Sequence, residues 1–261
     1  MMNNFKKFLS KNKTLYLFVA NIYHQINRKL MMLSLFFKGV KYLEPKTKLE
    51  GNYKSQYGQD WYLEKLGFLS KNNFFVEVGC NHPKINSNSY FLEHVYNYSG
   101  ISIDAINYEK EFHALRPNTI FIQSLIDSKE TTKIFNLVHN EDGWENQVSS
   151  IHKETLTMGK GFKADSIKMK TSTLQKLLPY NCVIDILMVD VEGHEIQVLE
   201  SLNWGLNSPR IILIENNGEF YNRKKLENFI SNKGYRLYAR IGTSDDIYII
   251  CLLYTSPSPR D

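Results

Sequence analysis

The sequence predicts an α/β fold: a doubly wound, mostly parallel sheet closed by a C-terminal antiparallel hairpin. Three observations carry that expectation. Short apolar runs alternate with helical patterns from residue 74 onward. Polar residues, mainly acids, stand where those runs end. The last two runs, YRLYARIG (235–242) and DDIYIICLL (245–253), are separated only by Thr243 and Ser244. Strands that alternate with helices imply a parallel sheet covered on both faces, and a tight final connection implies one antiparallel neighbour.

Each element follows from its own pattern. FFVEVG (74–79) has two aromatics and two Val before a Gly stop and reads as a buried strand. SNSYFLEHVYN (87–97) reads as a helix, with Tyr90, Phe91, His94 and Val95 at three- and four-residue spacing. ISIDA (101–105) is the next strand, YEKEFHALR (108–116) a helix stopped by Pro117, and TIFIQ (119–123) a third strand. KIFNLV (133–138) and SIKMKT (166–171) bracket a polar insertion over one end of the sheet. TLQKLL is a short helix halted by Pro179, and VIDILMVD (183–190) is a fourth core strand. HEIQVLESLNW is a helix with Ile196, Leu199 and Leu202 on one face. RIILIEN (210–216) is a fifth strand, and RKKLENFISNKG a helix with a Gly stop. The tail from residue 254, with its two prolines, continues no pattern and reads as disordered or not native to the domain.

Composition bounds what such a fold can do. The chain has 261 residues, 43% of them hydrophobic, enough for one large domain or two small ones. Cys80, Cys182 and Cys251 stand far apart without CxxC spacing, which argues against disulfides and zinc and makes a reducing cytoplasm the default. Residues 1–47 hold nine Lys/Arg and one acid, about +8, so the net +5 leaves the rest near −3. A nucleic-acid partner is therefore excluded from the body of the chain, here residues 48–253. Within the basic segment, TLYLFVANI (14–22) and LMMLSLFF (30–37) are both shorter than the roughly 18–20 residues a bilayer span needs. Residues 1–47 read as a helical extension, docked on the domain or a partner or lying on the inner membrane face.

In such a sheet ligands bind outside the carboxyl ends of the strands. Those ends gather Glu77–Gly79, Asp104, Gln123, Asp190 and Glu215 around one crevice. The first turn, VEVGCNHPKINSNS, has one Gly where a dinucleotide fold shows GxGxxG, and its Pro83 lacks an N–H for a pyrophosphate. No P-loop pattern occurs, so a nucleoside triphosphate is poorly served. A nucleoside with a cationic, phosphate-free end suits the acids better, and S-adenosylmethionine has that form. In this reading Gly79, Cys80 and Asn81 form the turn that meets its methionine part, with Glu77 beneath. Asp104 accepts from the ribose hydroxyls, and Ser124 meets the adenine edge. Asp104 as a mere helix cap is the plainer alternative.

SQYGQD (55–60), FVEVGCNHP with SNSYFLE (75–93), GISIDA (100–105), TSTLQKLL (171–178) and DILMVDVEGHEIQVLESL (185–202), in this order, resemble the FkbM family of methyltransferases. The likeness covers roughly residues 55–250, and DVEGHE is its most specific element. It implies a class I methyltransferase, Rossmann-like, with strand order 3-2-1-4-5-7-6. It also implies S-adenosylmethionine as donor and O-methylation of sugars in glycans or of natural products. Two features depart from the commonest pattern: Asn81, His82 and Pro83 stand where many methyltransferases have a second Gly, and Ser89 stands where the family usually has Thr.

A sugar hydroxyl is a weak nucleophile, so a base that takes its proton is worth roughly 10²–10⁴-fold. Asp190 is the first candidate, beside the expected sulfonium; Glu192 is the second and His194 the third. No metal ligand set is assigned: a divalent cation on Asp190 and Glu192 is disfavoured because no second ligand cluster is evident. Glu195, in the first helical turn, reads as structural, and Gly193 as part of the tight turn. Gln56, Gln59 and Asp60 are placed over the crevice as substrate contacts, with His82 beside the cofactor turn. Tyr53, Tyr57 and Trp144 are candidates for stacking on a sugar ring. The segment 139–165 is expected to shape acceptor choice. The leading expectation is therefore an S-adenosylmethionine-dependent O-methyltransferase for a glycan, glycolipid or small-molecule precursor. The competing classes are a non-catalytic cofactor-binding or assembly protein of a polysaccharide biosynthesis cluster, and a nicotinamide oxidoreductase, which the missing GxGxxG disfavours.

Overall fold

The structure, a computed structural model, describes residues 13–139, 149, 151, 163–218 and 222–251. The chain divides into two compact units, 1–42 and 43–261. The expected tail from residue 254 and Trp144 lie outside the described residues, as does most of 139–165.

Among the described residues the first unit holds one helix, α1 (Lys13–Phe37), which runs through both apolar segments of the expected helical extension. The intervening YHQINRK holds neither Gly nor Pro, so nothing interrupts the hydrogen-bond ladder. The helix ends in a Schellman motif. Gly39 takes φ 68°, Val40 N donates to Leu35 O (2.9 Å), and Gly39 N donates to Phe36 O (3.0 Å). Leu35 and Val40, which flank that motif, are both buried. Among the described residues no helix is long and apolar enough to cross a membrane. A short strand, β1 (Lys41–Leu43), spans the boundary between the units.

The second unit is built on the predicted strands: β2 (Phe74–Val78), β3 (Ser99–Asp104), β4 (Thr119–Gln123), β8 (Ile186–Val189), β9 (Ile211–Glu215), β10 (Tyr235–Ile241) and β11 (Asp245–Ile250). Their spatial order is β4-β3-β2-β8-β9-β11-β10. All neighbours up to β9 run parallel; β11 lies antiparallel to β9 and to β10. Val78 is in register with Ile103 and Val189, so β2, β3 and β8 finish level with one another.

The apolar runs of these strands serve two cores at once. Val76, Val78, Ile103, Leu187 and Ile214 point to one side, against α5 (Leu174–Leu177), α6 (Glu195–Glu200) and α7 (Arg223–Ser231). Phe75, Ile186, Met188 and Leu213 point to the other, against α2 (Gln59–Lys65) and α3 (Tyr90–Tyr96). Burial on both faces is why the strands read as continuous hydrophobic runs.

Two helices are shorter than their patterns. At the start of α3, Ser87 Oγ accepts from Tyr90 N (3.1 Å) and Ser89 is the N-cap, so helix begins only at Tyr90. At the end of α6, Ser201 Oγ donates to Val198 O (2.7 Å) and Trp204 Nε1 to Leu199 O (3.0 Å), taking over the last carbonyls. The remaining helix, α4 (Glu109–Leu115), stands where expected. A separate sheet, β5-β7-β6, joins β5 (Leu125–Ile126) to an antiparallel pair, β6 (Thr132–His139) and β7 (Lys163–Ser172). That pair carries the insertion.

Candidate active site

The level strand ends form the floor of a cavity of about 430 Å³. Glu77, Asp104 and Asp190 all line it, as do Gly79, Cys80, Asn81, Ser124, Glu192 and His194. Glu77, Asp104 and Asp190, which sequence reasoning assigned to three strand ends, therefore do share one pocket.

Gly79 is fixed by the protein's own backbone. It takes φ 79°, and a Cβ built there would lie 1.7 Å from the Asp190 carbonyl oxygen. The expected reason, room for a ligand, is thus joined by a stronger one: β2 and β8 close together at this point. Beneath the turn, Glu77 is buried and accepts from Ser89 Oγ (2.6 Å) and Ser102 Oγ (3.1 Å). Burial pushes its carboxyl up, and the Arg116 guanidinium opposes that shift. Arg116 is itself buried; its Nη2 donates to Ser89 Oγ (2.9 Å), its Nη1 to Pro83 O (3.0 Å), and its Nε to Glu93 Oε2 (2.6 Å). Ser89 therefore bridges Arg116 and Glu77 through a hydroxyl that Thr would also supply.

Asp104, at the end of β3, accepts from Ile106 N (2.9 Å) and from Asn81 N (2.8 Å). Its carboxylate organises both turns while facing the cavity, and burial raises its pKa to about 6 against the pull of those bonds. Asn81 takes φ 49°, and its Oδ1 accepts from Tyr108 Oη (2.8 Å) and His82 N (2.7 Å). This explains Asn in place of the second Gly, since Asn tolerates the left-handed region and ties down the turn. Ser124 donates its N–H to Asp104 O (2.8 Å).

The opposite wall is acidic. One carboxylate oxygen each from Asp190, Glu192 and Glu215 lie within 4.8 Å of one another, a spacing that could hold a metal ion. Sequence reasoning placed Glu215 on the rim but did not foresee it as the third member; only the pairing of β8 with β9 brings it there. Burial, then the charge of Glu195, raises Asp190 to about 7. Burial, then Asp190, pushes Glu215 well above the usual carboxylate range, and Asp245 on β11 is pushed up by the same two causes. Asp190 and Glu215 thus compete for ionisation, so protons or a cation must offset their repulsion. Glu192 holds φ 53°, left-handed for a non-Gly residue, with Gly193 next at φ 98°. That backbone turn directs the acid toward the rim.

Glu195 is structural as expected: its Oε1 accepts from Gly193 N (3.0 Å) and Val191 N (3.3 Å), bracing the turn. His194, the N-cap of α6, is buried, lines the cavity, and places Nε2 3.1 Å from Asp127 Oδ1. Asp127 was missed because it follows the two-residue strand β5, which no periodicity reveals.

The entry motif SQYGQD divides. Gln56, Tyr57 and Gln59 line the cavity, and Gln59 Nε2 donates to Asp245 Oδ2 (3.2 Å). Asp60 does not reach the cavity. Fully buried, it accepts from Lys54 N (2.7 Å), Ser55 Oγ (2.5 Å) and Trp61 N (2.8 Å), and so fastens the loop before α2. His82 also stays out of the lining; its Nδ1 accepts from Lys84 N and Ile85 N and holds the turn's backbone. Tyr53 is packed on Phe91 (ring centroids 4.4 Å apart), and its hydroxyl is bound to Glu64 (2.5 Å). From the insertion, Ser149 and Ile151 line the cavity. Asn88 was missed: its Oδ1, buried without a hydrogen-bond partner among the described residues, belongs to a side chain on the cavity wall.

A model of the FkbM methyltransferase domain matches residues 69–237, which spans every strand of the rim up to β10. The chain belongs to the FkbM methyltransferase family. Among solved structures, MtNAS in complex with MTA and tNA is similar at 12% identity, TM-score 0.37, over 75% of this chain and 61% of that one. The Haemonchus contortus phosphoethanolamine N-methyltransferase 1, in complex with phosphoethanolamine and S-adenosylhomocysteine, is similar at 10% identity and TM-score 0.35. That likeness covers 91% of this chain and 46% of the other. The chain thus spans less than two thirds of either. No curated protein sequence matches. The chain therefore carries an FkbM methyltransferase domain over residues 69–237.

Proposed function

We propose that this FkbM-family enzyme methylates a sugar hydroxyl of a glycan, glycolipid or natural-product precursor. The observation that carries the reading is the acidic wall, with Asp190 poised at about 7 beside the cofactor turn. When bound, S-adenosylmethionine supplies a methyl group on a sulfonium. The donor set fits that group: carboxylates rather than phosphate-binding N–H groups line the cavity, and the orphaned Asn88 Oδ1 offers an acceptor to an ammonium. In this assignment the turn Gly79, Cys80 and Asn81, with Glu77 beneath, holds the methionine part. Asp104 accepts from the ribose, and Ser124 meets the adenine.

Asp190 takes the acceptor's hydroxyl proton as the new oxygen–carbon bond forms and the carbon–sulfur bond breaks. A carboxylate with a pKa near neutral is the right strength for that transfer. Glu192 and His194 stand behind it as further acid–base groups, and Gln56 and Gln59 contact the acceptor. The non-catalytic alternative makes poor use of three carboxylates held together at a cost in repulsion. Asp190→Asn tests the assignment: at saturating cofactor, turnover should fall by roughly 10²–10⁴-fold, beyond any weakening of cofactor binding. Intact turnover would remove Asp190 from the role of base.

One observation favours a second reading of the same wall. With Glu215 added, the trio has the count and spacing to hold a divalent cation that binds a sugar diol. Assaying labelled methyl transfer with and without a chelator separates the two: the base reading expects no change, and loss restored by Mg²⁺ or Mn²⁺ selects the cation.

A further inference from the structure

Helix α1 carries an exposed apolar face. Ile22, Ile26, Leu30, Leu33 and Phe37 are between 42% and 78% exposed. At 100° per residue they fall within an arc of about 80°, a stripe about 22 Å long. Leu35, on the far side of the helix, is buried. A stripe of this size would be a hazard in water unless something covers it.

Charge decides what the cover is. The helix has no Asp or Glu, while Arg28 and Lys29 are exposed on it and Lys38 and Lys41 are exposed just beyond its end. The segment 1–47 sums to about +8. A second copy of α1 laid on the stripe would bring cations against cations with no acid to pair them. Spanning a bilayer is also closed to it, because the helix is not apolar enough. An anionic lipid surface meets both demands: acyl chains take the stripe and headgroups take the cations.

We infer that α1 is an in-plane anchor that binds the enzyme to anionic lipid bilayers. The inference concerns α1 alone and does not depend on what the cavity methylates. Lys29 lies beside the stripe and reaches the headgroups while its stem stays on the apolar face. Binding combines an apolar and an electrostatic part, so it depends on both lipid charge and salt.

Flotation of the full chain with vesicles tests this. The chain should float with phosphatidylcholine vesicles that contain phosphatidylglycerol, and at least about tenfold less with phosphatidylcholine alone or at high salt. Leu30→Glu with Leu33→Glu, at exposed positions, should abolish flotation without changing the thermal melt. Lys29→Glu, beside the stripe, should weaken it at low salt. Failure of the parent to float, equal flotation with neutral vesicles, or unchanged flotation of the leucine variant would each overturn the proposal. So would concentration-dependent self-association lost in that variant without lipid binding, which would make the stripe a protein interface.

Discussion

His194 Nε2 lies 3.1 Å from Asp127 Oδ1, and both side chains are buried at the edge of the cavity. Lys133 Nζ holds the other Asp127 oxygen at 2.8 Å. Burial alone would raise Asp127, but the Lys133 ammonium, then the Ser128 N–H and His194, keep it below the usual carboxylate range, so it stays ionised. An ionised, immobile carboxylate fixes the ring of His194 in one orientation. Asp127 is therefore a positioning residue. Asp127→Asn should lower kcat about tenfold or more with the acceptor KM nearly unchanged. Removing the negative charge disfavours imidazolium, so any limb of the pH–rate profile that belongs to His194 should move to lower pH. A merely structural role would lower the melting temperature and leave that profile in place.

The raised carboxyls make stability and cofactor binding depend on pH in a linked way. Asp190 goes from 3.8 in a free chain to about 7, and Asp104 from 3.8 to about 6, mainly through burial. The folded state therefore holds protons that the unfolded state has released. The sign follows: the cofactor-free protein loses stability as pH rises from about 4 to about 7, rather than gaining it. A bound cation favours the ionised carboxylates and reverses the loss. Thermal melts should show S-adenosylmethionine raising the melting temperature more at pH 8 than at pH 5.5, with calorimetric affinity falling as pH drops through about 7. A cofactor shift independent of pH would place its positive charge away from these acids.

Much of this was legible in the sequence because it depends on local pattern. The strands of the main sheet are continuous apolar runs, and a parallel sheet forces their ends onto one rim, so Glu77, Asp104 and Asp190 could be grouped without coordinates. What escaped depends on pairing between distant segments. Glu215 was seen as a strand end, but its closure on Asp190 needs β8 beside β9. Asp127 follows a strand too short to show a period, and Asn88 sits in a loop whose hydrogen bonds are long-range. Asp60 was misplaced for a physical reason: an acid in a polar motif looks like a ligand contact, yet three backbone N–H groups and a serine use it up. The helix α1 falls within the extension that the sequence already marked as helical.

Two glycines with similar backbone angles should respond very differently to alanine. Gly39 (φ 68°) would place a Cβ with nothing within 4 Å, whereas Gly79 (φ 79°) would drive one into the Asp190 carbonyl. Gly39→Ala should cost about 1 kcal/mol, the left-handed penalty alone. Gly79→Ala should cost at least about 3 kcal/mol, because backbone rather than a flexible side chain must move. It should also abolish cofactor binding in whatever protein remains folded. Denaturant melts of the two variants make the comparison, and equal losses would mean the β2–β8 junction gives way easily.

Arg116 ties the turn after β2 to α3, and its environment predicts an asymmetry. Its guanidinium is buried against Glu93, with Pro83 O and Ser89 Oγ as further partners, while Glu93 also accepts from Asn118 N (2.9 Å) and Thr119 Oγ1 (2.5 Å). Arg116→Met leaves Glu93 and Glu77 buried without their cation, a loss of about 3–5 kcal/mol. Adding Glu93→Gln removes one of those stranded charges, so the double variant should be more stable than the single one. Ser89→Thr should be nearly neutral because the bridging hydroxyl survives. Ser89→Ala removes one partner from both Arg116 and Glu77 and should cost about 1–3 kcal/mol. Since Glu77 lines the cavity, Ser89→Ala should also weaken S-adenosylmethionine binding, which calorimetry on the folded variant would read directly.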